Sequence, residues 1–139
     1  MVDKKKIGVL LPTRALVMQD TQPKGIDEII RMAKIAEQMG LDSVWVGDSL
    51  TAKPRLEPLT TLSAISAHTT RLRLGTAVML AALRHPVSLA QSATTLDLIS
   101  EGRLILGMGV GGAFNEIQRK NGVTLVLIPV TELDDLKNY

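Results

Sequence analysis

Apolar and polar positions along this chain alternate between two periods. Residues 7–11, 43–47, 72–80 and 104–110 are short, nearly continuous apolar runs, the pattern of strands covered on both faces in a parallel sheet. Between them, apolar residues recur at helical spacing: Ile26, Ile29, Ile30, Ala33, Ala36 and Met39; then Leu59, Leu62 and Ile65, with Ser66 on the same inner side; then Val87, Ala90, Ala93, Leu96 and Ile99. The helices carry start and stop signals. Asp27 and Glu28 fall in a first turn, Pro58 and Pro86 open the next two helices, and Gly40 and Gly102 end the first and third. Residues 13–24 have no period and read as a loop. After Asn115 and Glu116 the pattern weakens to a short helical stretch at 113–120, a β-branched strand at 123–130 and a helix at 131–138. Thr131 and Asp134 resemble a capping box in that last helix.

Strand, helix, strand at a spacing of about thirty residues is a chain of βαβ units. The fold class is therefore α/β, with about five parallel strands and four to five helices in one domain, residues 1–139. Ligands of parallel sheets bind at the C-terminal strand edge. Here that edge receives Asp48 and Ser49 from the second strand, Ala77 and Val78 from the third, and Gly109, Val110, Gly111 and Gly112 from the fourth.

Composition narrows the function classes. Sixteen basic residues against 14 acidic leave a net charge of +2, and the only basic cluster is Lys4-Lys5-Lys6, so nucleic acid is not an expected partner. One Trp, one Tyr and one Phe cannot build a base-stacking platform. With no cysteine, disulfides and thiolate metal sites are excluded. His68 and His85 lie far apart without carboxylates at ligand spacing, so no metal site is expected. Neither a membrane span nor a signal peptide is legible, which makes the cytoplasm the expected compartment.

The run Gly107-Met108-Gly109-Val110-Gly111-Gly112 contains G-x-G-x-x-G, and Glu132 lies 20 residues past Gly112, so a Rossmann-type dinucleotide site is one reading. Its position on the fourth strand, before a short helix, argues for a tight strand-to-helix turn instead. Asp48 suits either a hydrogen bond to a coenzyme ring edge or a cap for the following turn. His85, preceding Pro86, is biased to extended backbone at a helix start and orients the loop.

The strings LGTAVMLAALRHP and SATTLDLISEGRLILGMGVGG, with their His-Pro pair, Leu-Asp-x-x-Ser-x-Gly-Arg run and glycine-rich strand end, resemble the bacterial-luciferase-like superfamily. The resemblance covers about residues 6–119, and residues 122–128 (GVTLVLI) resemble the family's final strand. It implies a β/α barrel, and since a closed eight-fold barrel typically takes about 250 residues the expectation is a truncated barrel (TIM-barrel-like). It further implies FMN or an 8-hydroxy-5-deazaflavin coenzyme, with hydride transfer or oxygen activation at the reduced flavin and a small-molecule substrate. It places a non-prolyl cis peptide at Ala77–Val78, an ordinary trans strand being the alternative. It assigns coenzyme contacts to Ala77, Val78, Gly109, Val110, Gly111, Gly112 and Asn115. Many members carry a histidine where Ser49 stands, so Asp48 and Ser49 are the catalytic candidates without a shared mechanism. The family's phosphate-binding elements lie in the second half of the barrel, so a lone chain is expected to bind coenzyme weakly. Open strand edges imply a homodimer or larger homo-oligomer. The rival reading is a non-catalytic remnant that binds itself or a partner.

Overall fold

A computed structural model describes residues 5–18, 25–49 and 54–110. Four strands, β1 (Gly8–Leu10), β2 (Ser43–Val46), β3 (Arg73–Thr76) and β5 (Leu104–Ile105), form one parallel sheet in chain order. β4 (Met79–Leu80) and β6 (Met108–Gly109) form a second parallel pair beyond the C-terminal ends of β3 and β5. The helices are α1 (Thr13–Met18), α2 (Asp27–Gln38), α3 (Pro58–Ser66) and α4 (Pro86–Ile99), with a 3-10 turn at Ala81–Leu83.

Sequential strand order, with α2, α3 and α4 sharing one core against the sheet, is singly wound. A Rossmann sheet reverses strand order and carries helices on both faces, so the glycine run does not belong to one. The α/β class and the parallel sheet follow the sequence pattern. The expected fifth strand, residues 123–130, lies outside the described residues, as do the helices expected at 113–120 and 131–138.

Alternation along the strands sorts the core. Val44, Val46 and Leu74 are fully buried against Ile29, Ala33 and Ala36 of α2 and Leu59, Leu62 and Ile65 of α3. Each such aliphatic side chain contributes about 1.5–3 kcal/mol by leaving water. By register, Gly8, Ser43 and Arg73 form one row of the opposite face, and Leu10, Trp45, Gly75 and Ile105 the next. The strand aliphatics thus divide, with Val44, Val46 and Leu74 toward the helices and Leu10 and Ile105 on the opposite face.

Three expectations need correction. The stretch 13–24, expected as a loop, begins with α1, whose Thr13 is buried. The third and fourth apolar runs are not continuous strands, since each breaks after its sheet segment and resumes in the β4–β6 pair. In α4 the buried positions are Ala93 and Leu96, with Leu89 packed beside them, whereas Val87, Ala90 and Ile99 are exposed. That helix is apolar around most of its circumference, so periodicity alone does not select its buried face.

The N-terminal edge of the sheet is tied by two side chains. Glu37 Oε1 accepts the backbone N–H groups of Thr70 (2.9 Å), Arg71 (2.6 Å) and Leu72 (3.1 Å). The Arg103 guanidinium donates to the carbonyls of Ser66 (3.1 Å), Leu72 (3.2 Å) and Ser100 (2.7 Å), gathering the ends of α3 and α4 at one cation. Gly40 and Gly102 close α2 and α4 with φ of +76° and +77°, which glycine adopts without a Cβ penalty.

Candidate functional site

At the C-terminal edge, β3 passes into Ala77–Val78, whose peptide bond is cis, as the resemblance implied. Ala77 N–H donates to Val46 O (2.8 Å), and Met79 N–H and Thr76 Oγ1 both donate to Gly107 O (2.8 Å each). The segment is therefore held between the ends of β2 and β5. Two glycines make this approach possible: a Cβ on Gly107 would collide with the Thr76 carbonyl oxygen, and one on Gly109 would lie 2.8 Å from Val78 Cγ2. Both carry a packing role between backbone segments, beyond allowing a tight turn.

The outcome is an apolar ledge. Ala77 is exposed and Val78 is 45% exposed, seated on Gly109, with Val110 also open to solvent. Gly111, Gly112 and Asn115 lie outside the described residues. The exposed, Cβ-poor ledge fits the face of a flat ring, which is the property the expected coenzyme requires of it.

Asp48 does not open onto this ledge. Its carboxylate is buried, with Oδ2 accepting the Leu80 N–H (2.8 Å) and both oxygens engaged by Arg84, whose Nη2 lies 3.1 Å from Oδ1. Arg84 also donates to Leu80 O (3.2 Å) and to Glu57 Oε1 (3.3 Å). The other Glu57 oxygen caps α3 at Thr60 N (2.8 Å). One ionic cluster thus joins the end of β2, the segment after the ledge and the start of α3. Ser49 is half-buried and makes no side-chain hydrogen bond to any described residue. His85 occupies the N-cap position of α4 in extended conformation, without a side-chain cap.

Sequence reasoning passed over Arg84, Glu57 and Trp45. Arg84 and Asp48 are 36 positions apart, with no local signal for their pairing. Trp45 lies across the open face, its Nε1 donating to Ser43 Oγ (2.8 Å) and standing 2.6 Å from where a Cβ on Gly8 would be. A Cβ on Gly75 would overlap the same indole. The signal was present, since Gly8 and Gly75 occupy the strands on either side of the sole tryptophan, but only the strand register exposes it. Among the described residues, no cluster of potential metal ligands occurs, and no helix is long and apolar enough to cross a membrane.

A family model described as luciferase-like monooxygenase matches residues 5–132. The chain is 39% identical over 100 residues to an F420-dependent glucose-6-phosphate dehydrogenase of Amycolatopsis mediterranei, covering 67% of this chain and 30% of that protein. It is 33% identical over 105 residues to the oxygenase component of a flavin-dependent trigonelline monooxygenase of Acinetobacter baylyi, covering 73% and 29%. Its fold is similar to that of the oxygenating constituent of 3,6-diketocamphane monooxygenase of Pseudomonas putida, solved in complex with FMN. The TM-score is 0.71 at 23% identity, over 84% of this chain and 32% of the other. The chain spans about a third of the length of these proteins.

Proposed function

The chain belongs to the luciferase-like monooxygenase family, and from that premise we propose that its C-terminal strand edge forms the ring-side wall of an FMN or deazaflavin site in an oxidoreductase or monooxygenase. The observation that carries this reading is the ledge, with Val78 exposed and seated on Cβ-free Gly109. When bound, such a coenzyme supplies hydride transfer or oxygen activation, and the protein's part is placement and exclusion of water.

In this reading Ala77 and Val78 are the surface against which the ring lies, with Gly109 fixing the height of Val78. Val110 extends the same wall, and coenzyme contacts of Gly111, Gly112 and Asn115 belong to the same proposal. Asp48 and Arg84 act through Leu80, holding the segment after the ledge in place, and so are positioning residues. Ser49 follows Asp48 at the edge and is the side chain proposed to meet substrate or coenzyme. The substrate is a small molecule.

Titration with FMN and with the deazaflavin coenzyme, followed by fluorescence quenching, tests the reading. Weak, saturable binding by a lone chain is expected. No saturable binding of either, at any assembly state, would overturn it.

A self-associating module is the second reading, and the free side of β1 favours it. Among the described residues β1 pairs with β2 alone, and Ile7, Val9 and Leu10 are exposed beside a groove of about 390 Å³ lined by Leu11, Met32, Ile35 and Met39. A second copy of the chain is the proposed occupant, because one self-complementary edge then covers another.

A further inference from the structure

Ser43 and Trp45 face the open side of the sheet, and the same alternation puts Gly47 there. A Cβ on Gly47 would stand 3.0 Å from Arg55 Nη1 and 3.2 Å from Arg55 Cζ, so the guanidinium rests on the Gly47 backbone. The Val46 carbonyl immediately before it accepts the Ala77 N–H. Arg55 therefore stands about one strand spacing, roughly 5 Å, from the ledge.

Two other guanidiniums drawn into the fold have their acceptors. Arg84 holds Asp48, Glu57 and the Leu80 carbonyl, and Arg103 holds three carbonyls and the Thr69 hydroxyl. Arg55 is half-buried and has no hydrogen-bond or ion-pair partner among the described residues. A guanidinium offers five N–H donors in a rigid fork that matches a carboxylate or a phosphate, and no described residue takes up those of Arg55. Gly47 supplies the seat, because even a Cβ there would press on the guanidinium and make it give way by a few tenths of an ångström.

We infer that Arg55 is an oxyanion clamp at the barrel mouth, taking a carboxylate or phosphate carried either by the substrate or by the coenzyme tail. The inference rests on the proposed flavin site only for the direction from which ligand enters.

Inorganic phosphate is the probe, with the Gly47 backbone amide followed by heteronuclear NMR in the full chain. The wild type should show a saturable shift. Arg55→Met should lose at least about tenfold in phosphate affinity, with Arg55→Lys in between, since lysine keeps the charge but not the fork. FMN and riboflavin then distinguish the sources. A fall of about tenfold in the FMN-to-riboflavin affinity ratio in Arg55→Met assigns the coenzyme phosphate, and an unchanged ratio with phosphate affinity lost assigns the substrate. A Gly47 amide indifferent to phosphate, or equal affinities in wild type and Arg55→Met, would overturn the clamp. Because phosphate needs no flavin, the clamp and the flavin site fail separately.

Discussion

Arg84 grips both carboxylate oxygens of Asp48 from 36 residues away, and the Asp48 side chain retains only 3% of its exposure. Removing the cation strands a buried anion that still accepts the Leu80 N–H. Arg84→Met should therefore destabilise the fold by about 3 kcal/mol, the lower end for breaking a buried pair. Asp48→Asn keeps an acceptor for Leu80 and should cost less. Urea unfolding of both variants checks the order, and an Arg84→Met midpoint equal to wild type would contradict the buried-anion account.

The indole of Trp45 leaves no room above Gly75. Gly75→Ala should force the ring to move, at a cost of about 1–3 kcal/mol from overpacking. Since Trp45 is the only tryptophan, its emission maximum reports the displacement directly. An unchanged spectrum and midpoint would mean that the ring does not rest there.

Burial opposes ionisation of Glu37, but the backbone N–H groups of Arg71, Leu72 and Thr70, and the charge of Arg71, outweigh it and hold the carboxyl below its ordinary value. A depressed folded pKa means that stability is present in full above the unfolded value and is lost as pH falls through the folded one. Glu37→Gln should cost about 1 kcal/mol at neutral pH, discounted for solvent screening at this exposed site. The gap to wild type should narrow below about pH 4.5, near the ordinary glutamate value. Thermal melts across pH 3–7 measure it, and a gap that widens on acidification would reverse the sign.

Val78 is partly exposed and contributes little to the core, so Val78→Lys should fold with nearly the wild-type midpoint. It should weaken flavin binding by about tenfold or more, because a charge must be desolvated beneath an apolar ring. Riboflavin suffices as the ligand, since the ledge faces the ring. Equal riboflavin affinity in the variant would place the ring elsewhere.

Leu10 is 56% exposed on the free strand. If β1 meets a second copy, Leu10→Lys should shift the chain from at least twice 15.0 kDa toward the monomer mass in sedimentation at micromolar concentration. An unshifted assembly would locate the interface away from β1.

The sequence by itself determined β1, β2, α2, α3 and α4 and their order, but neither α1 nor the break of the third and fourth apolar runs into the β4–β6 pair. Pro58, Pro86, Gly40 and Gly102 punctuate helices by local backbone chemistry, and the apolar runs mark buried strands, so a parallel α/β sheet with its C-terminal strand edge at residues 48, 77 and 109 was legible. The buried face of α4 was not, because a helix apolar on several sides takes its burial from whatever packs against it. Tertiary structure also decided what the charges and glycines do. Asp48 finds Arg84, Glu37 finds three amides, and Gly75, Gly107 and Gly109 make room for a ring, a carbonyl and a valine, each across thirty or more residues. Periodicity reports whether a side chain is drawn out of water; a partner on another strand is fixed only when the register brings the two together.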